Sequence, residues 1–239
     1  MANFQWTEQS IRDYLANTEM AKYQAVPLPF GIVSEGKDRG ASFAMSMAGL
    51  DLEGKTFLDV GSNHGLMCFL AEERGADCPV GLDRGRYVQV ATTFADMRGS
   101  QAKFVDWDVD EKPISALGQF DIVACYNVLH HVLSPFHLLR ELTKATAPGG
   151  FLVLEYATPT GRYAKREKTI DEPFAQQMAA RPTIAVGWTD EIDGTYWSQS
   201  ALTRFMRLLG FKGESIDRMQ SPMADYRKIM ICHKEKADG

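Results

Sequence analysis

The chain has 239 residues, 45% apolar and 24% charged, with a formal net charge of -5 at pH 7; this fits one large domain, or a domain with a modest insertion, and is enough apolar matter for a full core. No window approaches the roughly 18 uninterrupted apolar residues of a membrane span, and the N-terminus lacks the basic-then-apolar order of a signal peptide. The acidic balance disfavours a stable complex with bare duplex nucleic acid, which usually goes with a basic surface.

Taken in chain order, residues 1–20 predict an amphipathic helix with Trp6, Ile11, Tyr14 and Leu15 as its apolar positions. VPLPFG (26–31) interrupts any helix, because its prolines and glycine restrict or release the backbone. Residues 1–50 are read as a helical cap on a domain spanning 51–239. From Lys55 onward, KTFLDV (55–60), CPVGLD (78–83), AKFVDWD (102–108), FDIVACYN (120–127) and GFLVLEYA (150–157) predict strands. Helical patterns lie between them at 66–74, 87–97 and 134–147. In the last of these, Ser134 is placed as N-cap, Pro135 as the first helical residue, and Leu138, Leu139 and Leu142 as one stripe, with APGG (147–150) ending it. This alternation predicts an α/β fold, a Rossmann-like, doubly wound and mostly parallel sheet whose ligand lies beyond the carboxyl ends of its strands.

Residues 158–197 break the rhythm with charges, prolines and aromatics and only a weak helical pattern around 171–180. They read as an insertion after the fifth strand, either a lid or a substrate-side element. SQSALTRFMRLLGF (198–211) predicts another capped helix ending at Gly210. Two strands at 212–219 and 226–233 then pair as a C-terminal antiparallel hairpin at the sheet edge. Cys68, Cys78, Cys125 and Cys232 form no Cys-x-x-Cys pair and read as reduced thiols of a cytoplasmic protein, three of them in core segments.

The turn Gly61-Ser62-Asn63-His64-Gly65 joins a strand carrying Asp59 to a helix that starts at once. A nucleoside triphosphate needs Gly-x-x-x-x-Gly-Lys-Ser/Thr, and this turn has no lysine. A dinucleotide needs Gly-x-Gly-x-x-Gly, and the middle glycine is absent. S-adenosylmethionine carries a carboxylate, an ammonium and a sulfonium and no phosphate. The helix N-terminus suits its carboxylate and Asp59 suits its ammonium, directly or through water. A plain tight strand-to-helix connection is the competing explanation. Asp83 ends the second strand, where a carboxylate can accept both ribose hydroxyls; otherwise it is a solvated loop residue. Asp108 ends the third, where it can accept from the adenine amino group while the Val109 N–H serves a ring nitrogen. Trp107 beside it either stacks on adenine or packs as a core or edge aromatic.

FLDVGSNHG, GLD, FVDWDVDEKP, FDIVACYNVLHHVLSP and APGGFLVLE, in this order over about 55–155, resemble the class I S-adenosylmethionine-dependent methyltransferases, and LTRFMRLLGF extends the likeness. The resemblance implies S-adenosylmethionine as cofactor, bound by Asp59, Gly61, Ser62, Asn63, Gly65, Asp83, Arg84, Asp108, Val109 and Asn127. Ser62 fits the family's small or cysteine residue at the second loop position, whereas His64 departs from it. No metal is expected, since metal-using catechol-type relatives place a carboxylate where this chain has Asn127. KYQAVPLPFGIVSEGKDRG together with YW (196–197) also resembles the branch containing the tRNA wobble-uridine carboxymethyltransferase.

Methyl transfer demands in-line alignment and, for a hydroxyl or protonated amine, a general base. His131 is expected as that base or as a substrate hydrogen-bonder, with His130 second; each can instead cap the next helix or pack under the sheet. Glu155 is a third catalytic candidate, placed to orient a histidine or a polar substrate, and it is expected to face one cleft together with Tyr156. Tyr23, Arg39, Tyr156, Trp188 and Tyr196 are the candidate substrate-binding residues. The basic run RYAKREK (162–168) reads as a solvated helix face, or else as the one obvious landing place for RNA phosphate. The expected activity is methylation of an oxygen or nitrogen of a small-molecule acceptor, with no membrane partner. The alternative is modification of the tRNA wobble uridine, and a rival from another class is a cofactor-binding regulator without turnover.

Overall fold

A computed structural model of the chain describes residues 6–159, 180–187, 194–224 and 226–236. The chain divides into two compact units, Met1–Asp108 and Val109–Gly239. Residues 1–50 lie within the first of these units.

In the N-terminal unit, α1 (Glu8–Asn17) opens with a capping box: the Thr7 side chain accepts from the Ser10 N–H, and the Ser10 hydroxyl oxygen accepts from the Thr7 N–H. A second short helix, α2 (Gly40–Ser46), precedes β1 (Thr56–Val60). Then follow α3 (Leu66–Glu73), β2 (Asp77–Asp83), α4 (Arg86–Arg98) and β3 (Lys103–Asp106). The strands pair in parallel, with Asp59 opposite Gly81 and Asp83 opposite Asp106. Ile11, Ala21, Val26, Leu28 and Ile32 share one apolar core with Leu66 and Phe69 of α3 and with Val90, Phe94 and Met97 of α4. This shared core is why the first fifty residues are not a separate body. Trp6 adds a tie, donating its indole N–H to Asp96 of α4 at 2.7 Å.

In the C-terminal unit, β4 (Phe120–Tyr126) is followed by α5 (Pro135–Ala145) and β5 (Thr146–Ala157). Ser134 stands at the N-cap position but its side chain makes no cap bond. Asp110 accepts from the backbone N–H groups of Leu133 and Ser134, just ahead of the helix. The APGG stretch does not simply end the helix: β5 already begins at Thr146, and the register slips between Phe120↔Thr146 and Ile122↔Phe151. A small hairpin, β6 (Ile184–Gly187) and β7 (Gly194–Trp197), comes from the expected insertion; the pattern at 171–180 and the basic run at 162–168 lie almost entirely or wholly outside the described residues. The helix α6 (Gln199–Leu208) is capped by Ser198, whose hydroxyl accepts from the Ala201 N–H at 3.2 Å. Finally β8 (Ile216–Gln220) and β9 (Arg227–His233) pair antiparallel, and β9 pairs antiparallel with β5.

The seven-stranded sheet has the order β3-β2-β1-β4-β5-β9-β8, and β6–β7 stand apart. The Rossmann-like, mostly parallel sheet with a C-terminal antiparallel hairpin is thus the observed fold. All four cysteines are free thiols, three buried and Cys78 exposed. Among the described residues, no helix is long and apolar enough to cross a membrane.

Candidate functional site

In the N-terminal unit the turn after β1 takes three left-handed residues, Gly61, Asn63 and Gly65, with φ of 80°, 49° and 87°. Glycine adopts this region without penalty, and asparagine tolerates it better than most residues. Close packing also requires glycine: a Cβ at Gly65 would lie 2.4 Å from the Phe104 ring, and one at Gly81 2.6 Å from that ring and 2.7 Å from Ser62 Oγ. Backbone N–H groups of Gly61 and Ser62 both donate to the Leu82 carbonyl, so the turn is pinned to the end of β2. Asp83 completes the clamp. Its Oδ2 accepts from the Asn63 N–H and its Oδ1 from the Arg84 N–H, each at 2.7 Å.

Asp59 is 1% exposed, and its Oδ1 has no hydrogen-bond partner. Burial, and then the nearby Asp83 charge, push its pKa up to about 8. Burial also raises Asp83, against the opposing pull of the two backbone N–H groups. Ser62 is buried too, with an unpartnered hydroxyl. Arg84 reaches outward to Asp108, Nη1 to Oδ2 at 3.2 Å. Asp106, which sequence reasoning passed over, accepts from the Gly85 N–H.

The cap contributes three further groups to this unit. Gln24, also missed, sends Oε1 to within 3.4 Å of the Leu66 N–H at the start of α3. Arg39 is 7% exposed with Nη1 unpartnered. Tyr23 packs edge-on against His64 and Tyr87. His64, the departure from the family turn, is fully buried against Tyr23, Tyr87 and Phe94. Its pKa is lowered by that burial, so it is a neutral packing group of the turn, set against the cap at Tyr23.

In the C-terminal unit the residue after β4 is Asn127, left-handed at φ 61°. Its N–H donates to the Glu155 carbonyl at 2.8 Å, and its Nδ2 donates to Glu155 Oε2. Glu155 Oε1 accepts from the Ser221 hydroxyl. Both carboxylate oxygens of this 1%-exposed side chain are therefore engaged by donors. Consecutive residues of a regular strand project to opposite faces, and Glu155 and Tyr156 pair in regular succession with Ile229 and Lys228. The expectation that they face one cleft fails for that reason. Tyr156 is buried with an unpartnered hydroxyl, and burial raises its pKa.

His130 is buried, its ring 4.0 Å from His131 and stacked on Tyr196 at 6.2 Å. β7 presses on this segment: Thr195 Oγ1 donates to the Leu129 carbonyl, and a Cβ at Gly194 would collide with the His130 carbonyl. His131 keeps its edge in solvent. Partial desolvation, and then the charge of Arg227, lower its pKa below the usual 6.5. Val109 opens this unit, half-buried. Trp188 lies outside the described residues. Sequence reasoning missed Ser221 and Arg227. The serine–proline step at Ser221 marks a turn, but nothing local says that its hydroxyl meets Glu155.

A family model described as a methyltransferase domain matches residues 38–216. The chain belongs to this methyltransferase family. The resemblance to the class I S-adenosylmethionine-dependent methyltransferases is borne out by that match and by the fold. Over 133 residues this methyltransferase is 33% identical to the ubiquinone biosynthesis O-methyltransferase of Psychrobacter cryohalolentis, covering 54% of this chain and 51% of that one. The Escherichia coli protein of the same name is 36% identical over 100 residues, 41% of each chain. The chain thus spans about half, or less, of the curated relatives it matches. Among solved structures, the N-terminal domain of EvdMO1 in the presence of SAH and D-fucose gives a TM-score of 0.71 at 16% identity, covering 98% of this chain and 100% of that one. An S-adenosylmethionine-dependent methyltransferase from Mesorhizobium loti gives 0.59 at 18% identity, covering 81% and 98%. At those identities the likeness is one of fold.

Proposed function

We propose that this methyltransferase moves a methyl group from S-adenosylmethionine to an oxygen of a small-molecule acceptor. The observation that carries the cofactor reading is the buried Asp59 carboxyl, with one oxygen unpartnered and its pKa at about 8. A buried carboxylate without a counter-charge is costly, and an ammonium group removes that cost. Arg39 is the complementary buried cation of the same unit. The two match the charges of an amino-acid zwitterion, the tail of the cofactor, which supports Arg39 as a partner of this tail. Asp83 retains the capacity expected of it. Each carboxylate oxygen that takes one backbone N–H keeps a further acceptor site, enough for the two ribose hydroxyls.

The bound cofactor supplies an activated methyl whose sulfur departs as a neutral thioether. The residues of this chain bind, orient and move a proton. His131, neutral near pH 7, accepts the proton of the acceptor hydroxyl. The curated relatives are named O-methyltransferases, which supports oxygen as the acceptor atom. The net charge of -5 supports a small molecule over tRNA. The test is incubation with methyl-labelled S-adenosylmethionine and either a panel of phenols and alcohols or bulk tRNA. Label is expected in the small molecules; label in tRNA alone overturns the acceptor reading.

A further inference from the structure

We infer that Ser221 and Glu155 are positioning residues that hold the Asn127 side-chain amide in one orientation, with Oδ1 presented to an N–H or O–H donor of the bound nucleoside. The inference rests on the cofactor reading above.

Three side chains form a directional chain within the C-terminal unit. The Ser221 hydroxyl donates to Glu155 Oε1, and Glu155 Oε2 accepts from Asn127 Nδ2. Ser221 Oγ in turn accepts from the Met223 N–H at 3.0 Å, which fixes the hydroxyl's lone pairs and leaves its proton for the carboxylate. Ser221 is 3% exposed and Glu155 1%. Hydrogen bonds to a carboxylate are among the stronger ones, and burial keeps water from replacing either donor. An amide flip at Asn127 would point Oδ1 at that carboxylate, two acceptors face to face. The amide is therefore locked, and its Oδ1 is a buried acceptor with no partner. Such a group costs free energy until something donates to it. The backbone is held as well: the left-handed Asn127 donates its N–H to the Glu155 carbonyl, so one residue of β5 fixes both ends of Asn127. Ser221 thus reaches the ligand through two other side chains and touches no reacting atom.

Calorimetric titration with S-adenosylhomocysteine tests this on the full chain. Asn127→Ala and Ser221→Ala should each weaken binding about tenfold, the loss of one buried hydrogen bond. The double variant should be no weaker than the worse single variant, because Ser221 acts through Asn127. Ser221→Thr, which keeps the hydroxyl, should restore affinity. Additive losses, or wild-type affinity in Asn127→Ala, would overturn the inference. Should Ser221→Ala fold poorly, Glu155→Met removes both acceptor oxygens and should give at least the same tenfold loss; unchanged affinity there also overturns it. The Asn127 side-chain amide resonance gives a readout without ligand: it should shift in Ser221→Ala, and a stationary signal counts against the relay. Wild-type protein that binds no S-adenosylhomocysteine at all would refute the cofactor reading, leaving the amide resonance to decide the relay.

Discussion

Asp59 carries opposite consequences for binding and for stability. Its folded pKa of about 8 lies above the roughly 4 of an unfolded aspartate. A group raised in this way stabilises the fold fully below the unfolded value, and that contribution is lost as pH rises through the folded one. The unliganded protein should therefore lose stability between roughly pH 4 and 8, and Asp59→Asn should flatten that part of a melting-temperature profile. The same variant should weaken S-adenosylhomocysteine binding tenfold or more, since a charge-assisted contact is lost. A profile that keeps its slope would show that another group titrates. Asp83→Ala is expected to weaken the nucleoside by about tenfold or more as well, and calorimetry showing unchanged affinity would remove the ribose assignment. For His131, the pH dependence of single-turnover methyl transfer should have an acid limb below pH 6.5, the usual value. Arg227→Gln removes a charge that lowers this pKa, so the limb should move upward. His131→Ala should slow the step by roughly 10²–10⁴-fold with cofactor affinity nearly intact.

At the scale of elements, the turn between β1 and α3 depends on a ring from a different strand. Phe104 of β3 fills the space that Cβ atoms at Gly65 and Gly81 would need. Gly81→Ala should cost about 1–3 kcal/mol from overpacking, and Phe104→Leu should recover part of this in the double variant. Urea denaturation gives both numbers; an unchanged midpoint in the single variant would mean that the ring moves freely. The turn itself was legible in the sequence because its glycines and the absent lysine are local facts. The elements around it were legible where apolar periodicity ran unbroken, as in β1, α3 and β4. What escaped depended on partners far along the chain. Asp110 holds the N–H groups just ahead of α5, and Ser221 meets Glu155 and the charge of Arg227 reaches His131 only once β8 and β9 have paired. The error over Glu155 and Tyr156 is of another kind. Period-two alternation within a strand already puts them on opposite faces.

At the scale of the molecule, the chain divides after Asp108 into two compact units, the first of which includes residues 1–50. Ile11, Ala21, Val26, Leu28 and Ile32 of that stretch pack in one core with α3 and α4. The parallel order of the strands was readable from the alternation of strand and helix, and the final hairpin from two apolar runs with no helix between them. The acceptor was not readable, because the candidate residues for it come from stretches far apart in the chain, from Tyr23 to Tyr196. The central claim is that the first two strands end in a site for a sulfonium nucleoside with an amino-acid tail, with no grip for a pyrophosphate. Isothermal titration of the purified protein against S-adenosylhomocysteine and, separately, NAD tests it most directly. Saturable heat with the first ligand and none with the second is the predicted result; silence with the first, or binding of the second, would contradict it.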